Sequence, residues 1–143
     1  TMKYSISKED LEFKEQVESC EFPVSDFDHR AHIRLAYIYL SSNSTEKSVQ
    51  LMRDTLINLL KHVGVDPSQK YHETLTEAWI LAVHHFINIT DNSKSADEFI
   101  DKNKVMLDSK IMMTHYSAEV LFSGEARKAF VEPDLDPIPR HCD

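Results

Sequence analysis

The chain has 143 residues, 16 basic and 24 acidic side chains, a net charge of −8 at pH 7, and 41% apolar and 28% charged residues. These are the proportions of one globular domain that can bury a core without staples, and they exclude a disordered chain. The acidic balance argues against nucleic acid as a partner, and two cysteines, Cys20 and Cys142, make no disulfide framework and suit a reducing compartment.

No segment reads as membrane-spanning. The longest stretch free of formal charge, Ala78 to Thr90, is 13 residues long and carries His84 and His85. The first ten residues lack the apolar run of a signal peptide, Thr1 ahead of Met2 reads as a cloning remnant, and a cytoplasmic location is the default expectation.

Glycine occurs only at 64 and 124, and proline only at 23, 67, 133, 137 and 139. So few breakers imply an all-α fold. A first helix is expected over Lys8 to Cys20, capped by Ser7, with a thin apolar face of Leu11, Phe13 and Val17. A second runs from about Asp26 to Leu40. The third starts at Ser44 or Thr45; Val49, Met52, Leu56, Leu59, Leu60 and Val63 mark its buried face, and Gly64 ends it. The fourth spans about Tyr71 to Ile89. Ser95-Ala96-Asp97-Glu98 opens a fifth, shorter helix as a capping box. A further helical piece covers Ser109 to Phe122, and Ser123-Gly124-Glu125 begins a last turn or two. The expected architecture is a single domain over 1–143. It is a compact bundle of four main helices plus short extra helices, with extended termini at 1–6 and 132–143 and a proline-rich tail lying across the body.

Eight histidines are the most informative feature. His29 and His32 form H-x-x-H on the second helix, where positions three apart are surface neighbours. Their stripes run through Ile33, Ala36, Tyr39 and Leu40, so both rings are expected to face the bundle interior. His72 opens the fourth helix on a stripe with Thr76, Trp79, Val83 and Phe86. His115 lies between Ile111, Ala118 and Phe122, with Tyr116 beside it. Three helices thus direct imidazoles inward, and an unpaired buried imidazole costs on the order of 1–3 kcal/mol.

One reading is a transition-metal centre of zinc, iron, copper or nickel with His29, His32, His72 and His115 as ligands. Glu73 and Tyr116 are then the candidates for acid–base or ligand-orienting roles. Other readings are a hydrogen-bonded polar pocket without metal and unrelated structural roles. Glu73 and Glu77, four apart, also read as a solvated acidic edge. Asp28 reads as a helix cap, and Arg30 and Arg34 as partners of acidic neighbours. The Glu-x-x-His pairs of di-iron bundles, H-E-x-x-H, phosphate loops, G-x-S-x-G and C-x-x-C are all absent.

The strings Phe27-Asp28-His29-Arg30-Ala31-His32, Lys70-Tyr71-His72-Glu73-Thr74-Leu75-Thr76 and Phe130-Val131-Glu132-Pro133-Asp134-Leu135-Asp136-Pro137-Ile138-Pro139 resemble those of a group of small bacterial hypothetical proteins. The resemblance runs from about Phe27 to Pro139. It implies a shared small helical domain and carries no established activity. The leading functional expectation is therefore a small metal-binding protein, in one form an enzyme on a small molecule. Its alternative is a non-enzymatic module binding a small-molecule ligand or another protein through a buried polar histidine cluster.

Overall fold

Capping signals set the helix starts one after another. In the computed structural model, which describes residues 4–143, α1 (Lys8–Glu18) begins with Ser7 accepting from the Asp10 amide at 3.0 Å and Asp10 accepting from the Ser7 amide at 3.1 Å. It ends at a left-handed Cys20, φ 64°. After a 3-10 turn (Val24–Asp26), α2 (His29–Ser42) is capped by Asp28 through the Ala31 amide. The cap moves the start of this helix to His29 and leaves Phe27 outside it.

Ser44 caps α3 (Thr45–His62), and Gly64 stops it at φ 77°, where the Val65 amide reaches back to the Leu60 carbonyl. Asp66 and Pro67 start the short α4 (Pro67–Lys70). His72 itself caps α5 (Glu73–Ile89), and Ser95 caps α6 (Ala96–Lys102).

The helix expected over Ser109 to Phe122 is broken. A 3-10 stretch (Ser109–Thr114) follows another (Lys104–Leu107), and Ser117 restarts the chain as α7 (Ala118–Leu121). Ser123 caps α8 (Gly124–Lys128), and no regular secondary structure follows Lys128. Ser117, which looks like helix interior, therefore acts as a cap, because its hydroxyl takes the backbone amide of Val120 three residues on, while Ser123 begins the last helix as expected.

The four long helices α1, α2, α3 and α5 form the bundle, with α2, α3 and α5 packed on one another, α1 against α2 and α3, and α6 against α2. Ile33, Leu35, Ala36, Tyr37, Ile38 and Tyr39 are all buried, so α2 is enclosed on nearly every side. On α1, Phe13 and Val17 are buried but Leu11 faces outward. The described residues share one hydrophobic core. Of the extended N-terminus expected over 1–6, residues 1–3 lie outside the described residues. Tyr4 makes an isolated bridge to Ser93.

The tail is pinned to the body. Val131 accepts from the Tyr116 hydroxyl at 2.6 Å, Thr74 bonds Ala129 and Val131, and Asp134 accepts from the Ser117 amide. Ile138 is buried, and the Asp143 carboxylate accepts from the Thr45 amide at the start of α3. No helix among the described residues is long and apolar enough to cross a membrane.

Candidate functional site

The four histidines named from the sequence do not meet at one point. His29 and His32 are neighbours, their ring centroids 6.5 Å apart, as the H-x-x-H spacing requires. His29, however, donates Nε2–H to the Met106 carbonyl at 2.8 Å and packs against Trp79 at 4.7 Å. His72 does not lie on a helical stripe. As the cap of α5 its Nδ1 accepts from the Leu75 amide at 3.1 Å, and its Nε2–H goes to the Leu121 carbonyl at 2.7 Å. Both nitrogens are committed, which fixes the ring as one neutral tautomer.

His115 sits where the expected helix breaks, and its Nδ1–H donates to the Asp136 carbonyl in the tail at 2.7 Å. Three of the four rings thus hold main-chain carbonyls of three different segments. Among the described residues no group of three or more His, Cys, Asp and Glu side chains could hold a metal ion. Helical periodicity alone points these rings inward, and periodicity does not apply to a cap residue or to a residue at a break.

His32 differs from the other three. Its Nε2 is shut off from solvent and has no hydrogen-bond partner. Burial, aided by the nearby His29, lowers its pKa to about 4, so the ring is neutral at physiological pH. It lines a cavity of about 220 Å³ between α2, α3 and the start of α5. The 3-10 turn supplies Val24, the loop before α2 supplies Phe27, and α3 contributes Leu56, Leu59 and Leu60. Lys70, Tyr71, His72, Leu75 and Thr76 complete the lining. The wall from α3 was legible as a helical stripe. The part formed by Val24 and Phe27 was not, because only the break at Phe22-Pro23 hints that the chain turns back there.

Glu73 is not a solvated edge. It is 6% exposed, and it takes Nε and Nη2 of Arg53 at 2.8 Å each and the Tyr71 hydroxyl at 2.7 Å. Burial by itself would raise this carboxyl. The hydrogen bonds from Arg53, Glu77 and Tyr71 outweigh burial and hold it well below the ordinary range. Burial, reinforced by the same carboxylate, pushes Glu77 up to about 7. Nothing in the sequence flags Arg53, since a pair twenty residues apart on two helices leaves no local pattern.

Arg30 and Arg34 are paired as expected, to Asp97 and Asp101 and to Asp10 respectively. Tyr116 is fully buried and holds the tail by its hydroxyl.

Because Glu77 binds its proton more tightly in the folded chain, its protonated form favours folding. That contribution is complete below about 4.5, its ordinary value, and is lost as pH rises through the higher folded-state value. Replacing Glu77 with Gln is expected to make stability rise more steeply, or fall less, with pH between 4.5 and neutrality than in the wild type, read as urea midpoints across that range. A slope unchanged by the substitution contradicts the assignment.

Comparison of the chain with protein-family models, with curated proteins and with solved structures finds no match.

Proposed function

We propose that this protein binds a small, largely apolar molecule that places a hydroxyl group on the His32 imidazole. The observation that carries the reading is a neutral imidazole that lines a mostly apolar cavity and whose buried Nε2 has no protein partner. Such a nitrogen costs on the order of 1–3 kcal/mol when unpaired, and a ligand that bonds it recovers that cost only when bound. A hydroxyl fits whichever tautomer the ring adopts, because it both gives and takes a hydrogen bond. A dry cavity of about 150 Å³ is enough for benzene. The 220 Å³ here suits a substituted phenol.

The transition-metal reading has no comparable support. Among the described residues no three His, Cys, Asp or Glu side chains are grouped to hold an ion, His72 has both ring nitrogens tied to the backbone, and Glu73 and Tyr116, the acid–base candidates of that reading, are tied to Arg53 and to Val131. These ties serve the fold, so binding is preferred over catalysis.

Calorimetry with 4-ethylphenol and ethylbenzene tests the proposal. The phenol is expected to bind about tenfold more tightly to the wild type, equivalent to about 1.4 kcal/mol for the recovered hydrogen bond. His32→Leu, with its fold checked by circular dichroism, is expected to erase the difference. Equal affinities of folded wild-type protein for the two probes overturn the proposal.

A further inference from the structure

Five side chains lining the His32 cavity carry polar atoms: His32, Lys70, Tyr71, His72 and Thr76. Three are already committed as donors. The Tyr71 hydroxyl goes to Glu73 at 2.7 Å, Thr76 Oγ1 goes to the His72 carbonyl at 2.9 Å, and His72 spends both ring nitrogens on the Leu75 amide and the Leu121 carbonyl.

Two groups remain. One is the His32 imidazole, which makes no hydrogen bond to the protein through Nε2. The other is the ammonium of Lys70, exposed at the cavity mouth and without a carboxylate partner among the described residues. The cavity therefore offers one uncharged contact inside, one positive charge at its entrance, and apolar walls between them. Among the described residues, Lys70 is the one cationic side chain in the lining, and its influence reaches only about 8–10 Å at physiological salt.

We infer that the ligand is an amphiphilic carboxylic acid of the hydroxyphenylalkanoate kind, with its hydroxyl on His32 and its carboxylate at Lys70. Size agrees with this class. Relative to the roughly 150 Å³ that accommodates a benzene ring, a 220 Å³ cavity leaves room for a short arm leading to the mouth. A ligand carrying a second charge at its inner end is disfavoured, because the imidazole there is neutral and enclosed by leucines. The inference rests on the ligand-binding reading given above and adds the anionic group and its partner.

The test uses three probes: 3-(4-hydroxyphenyl)propanoate, 4-ethylphenol, which lacks the carboxylate, and 3-phenylpropanoate, which lacks the hydroxyl. Each is titrated by calorimetry into the full chain as wild type and as Lys70→Gln, a substitution at an exposed position. In the wild type the hydroxyphenylpropanoate is expected to bind about threefold to fivefold more tightly than 4-ethylphenol, the range of a solvent-exposed ion pair. That advantage is expected to vanish in Lys70→Gln and to shrink as salt is raised, while 4-ethylphenol binds both proteins alike. The 3-phenylpropanoate is expected to bind more weakly than its hydroxylated counterpart in both.

Equal affinity for the hydroxyphenylpropanoate and 4-ethylphenol overturns the inference, as does an advantage that survives Lys70→Gln. In those cases, 4-ethylphenol binding that depends on His32 leaves the ligand-binding reading in place. If none of the three probes binds, both fall together.

Discussion

Replacing Asp10 with Ala is expected to destabilise the protein by about 3–5 kcal/mol, the cost of breaking a buried charge pair by deleting one partner. Asp10 is 1% exposed and joins three helices. Its Oδ2 accepts from the Ser7 amide in the cap of α1 and from the Ala96 amide, 2.8 Å away, at the start of α6. Its Oδ1 accepts from Arg34 Nε on α2 at 3.0 Å. The substitution strands two amides and a half-buried guanidinium that also lies 4.3 Å over the Phe13 ring. Urea unfolding measures the loss. Arg30→Ala, which breaks only exposed pairs to Asp97 and Asp101, serves as the comparison and is expected to cost less than about 1 kcal/mol. Similar costs for the two variants contradict the role given to Asp10.

The second large effect is acid sensitivity traced to His32. In the unfolded chain its imidazole takes a proton near the ordinary 6.5, whereas in the folded protein it stays neutral down to about 4. Between those values the unfolded state binds more protons, so stability falls as pH drops. Above 6.5 neither state carries the charge and the effect is absent. Two and a half units correspond to about 3 kcal/mol across the window. Glu77 acts with the opposite sign over most of that range, so His32→Leu is expected to make the slope of stability against pH between 4 and 6.5 more negative than in the wild type, and an unchanged slope contradicts the assignment.

Both effects bear on what the sequence discloses. Ser7, Ser44, Ser95 and Gly64 act through neighbours two to five residues away, so the helix boundaries they set are legible from local order alone. Asp10 shows as a helix-starting residue for the same reason. Its bond to Ala96, 86 positions later, leaves no trace in either segment.

The candidate site divides in the same way. The inward course of His29 and His32 follows from helical geometry and is observed. His72 is a cap and His115 lies at a break, so their nitrogens were assigned by a periodicity that neither obeys. A His at a helix start has the same option as Ser or Asp, since Nδ1 can accept from an amide three residues on. The sequence does not reveal which option the ring takes. Arg53 was invisible for a related reason: the carboxylate it holds is on another helix, and only packing of α3 on α5 makes them partners.

The chemistry left to the site follows from which nitrogens the fold has used. Three imidazoles stitch segments together, α2 to the 3-10 turn holding Met106, α5 to α7, and the region before α7 to the tail. The remaining one, His32, lines a cavity and keeps a buried nitrogen that nothing in the protein satisfies. A cavity with apolar walls and a neutral imidazole in its lining is suited to recognising a single hydroxyl by its direction.

Side-chain nitrogen NMR of the histidine rings, recorded with and without 4-ethylphenol, tests this most directly. The account predicts that the His32 ring is neutral at pH 7, that its Nε2 resonance moves on saturation with the phenol, and that those of His29 and His72 hold their positions. A His32 ring that titrates near 6.5, or one whose Nε2 resonance ignores the phenol while the probe binds elsewhere, contradicts it.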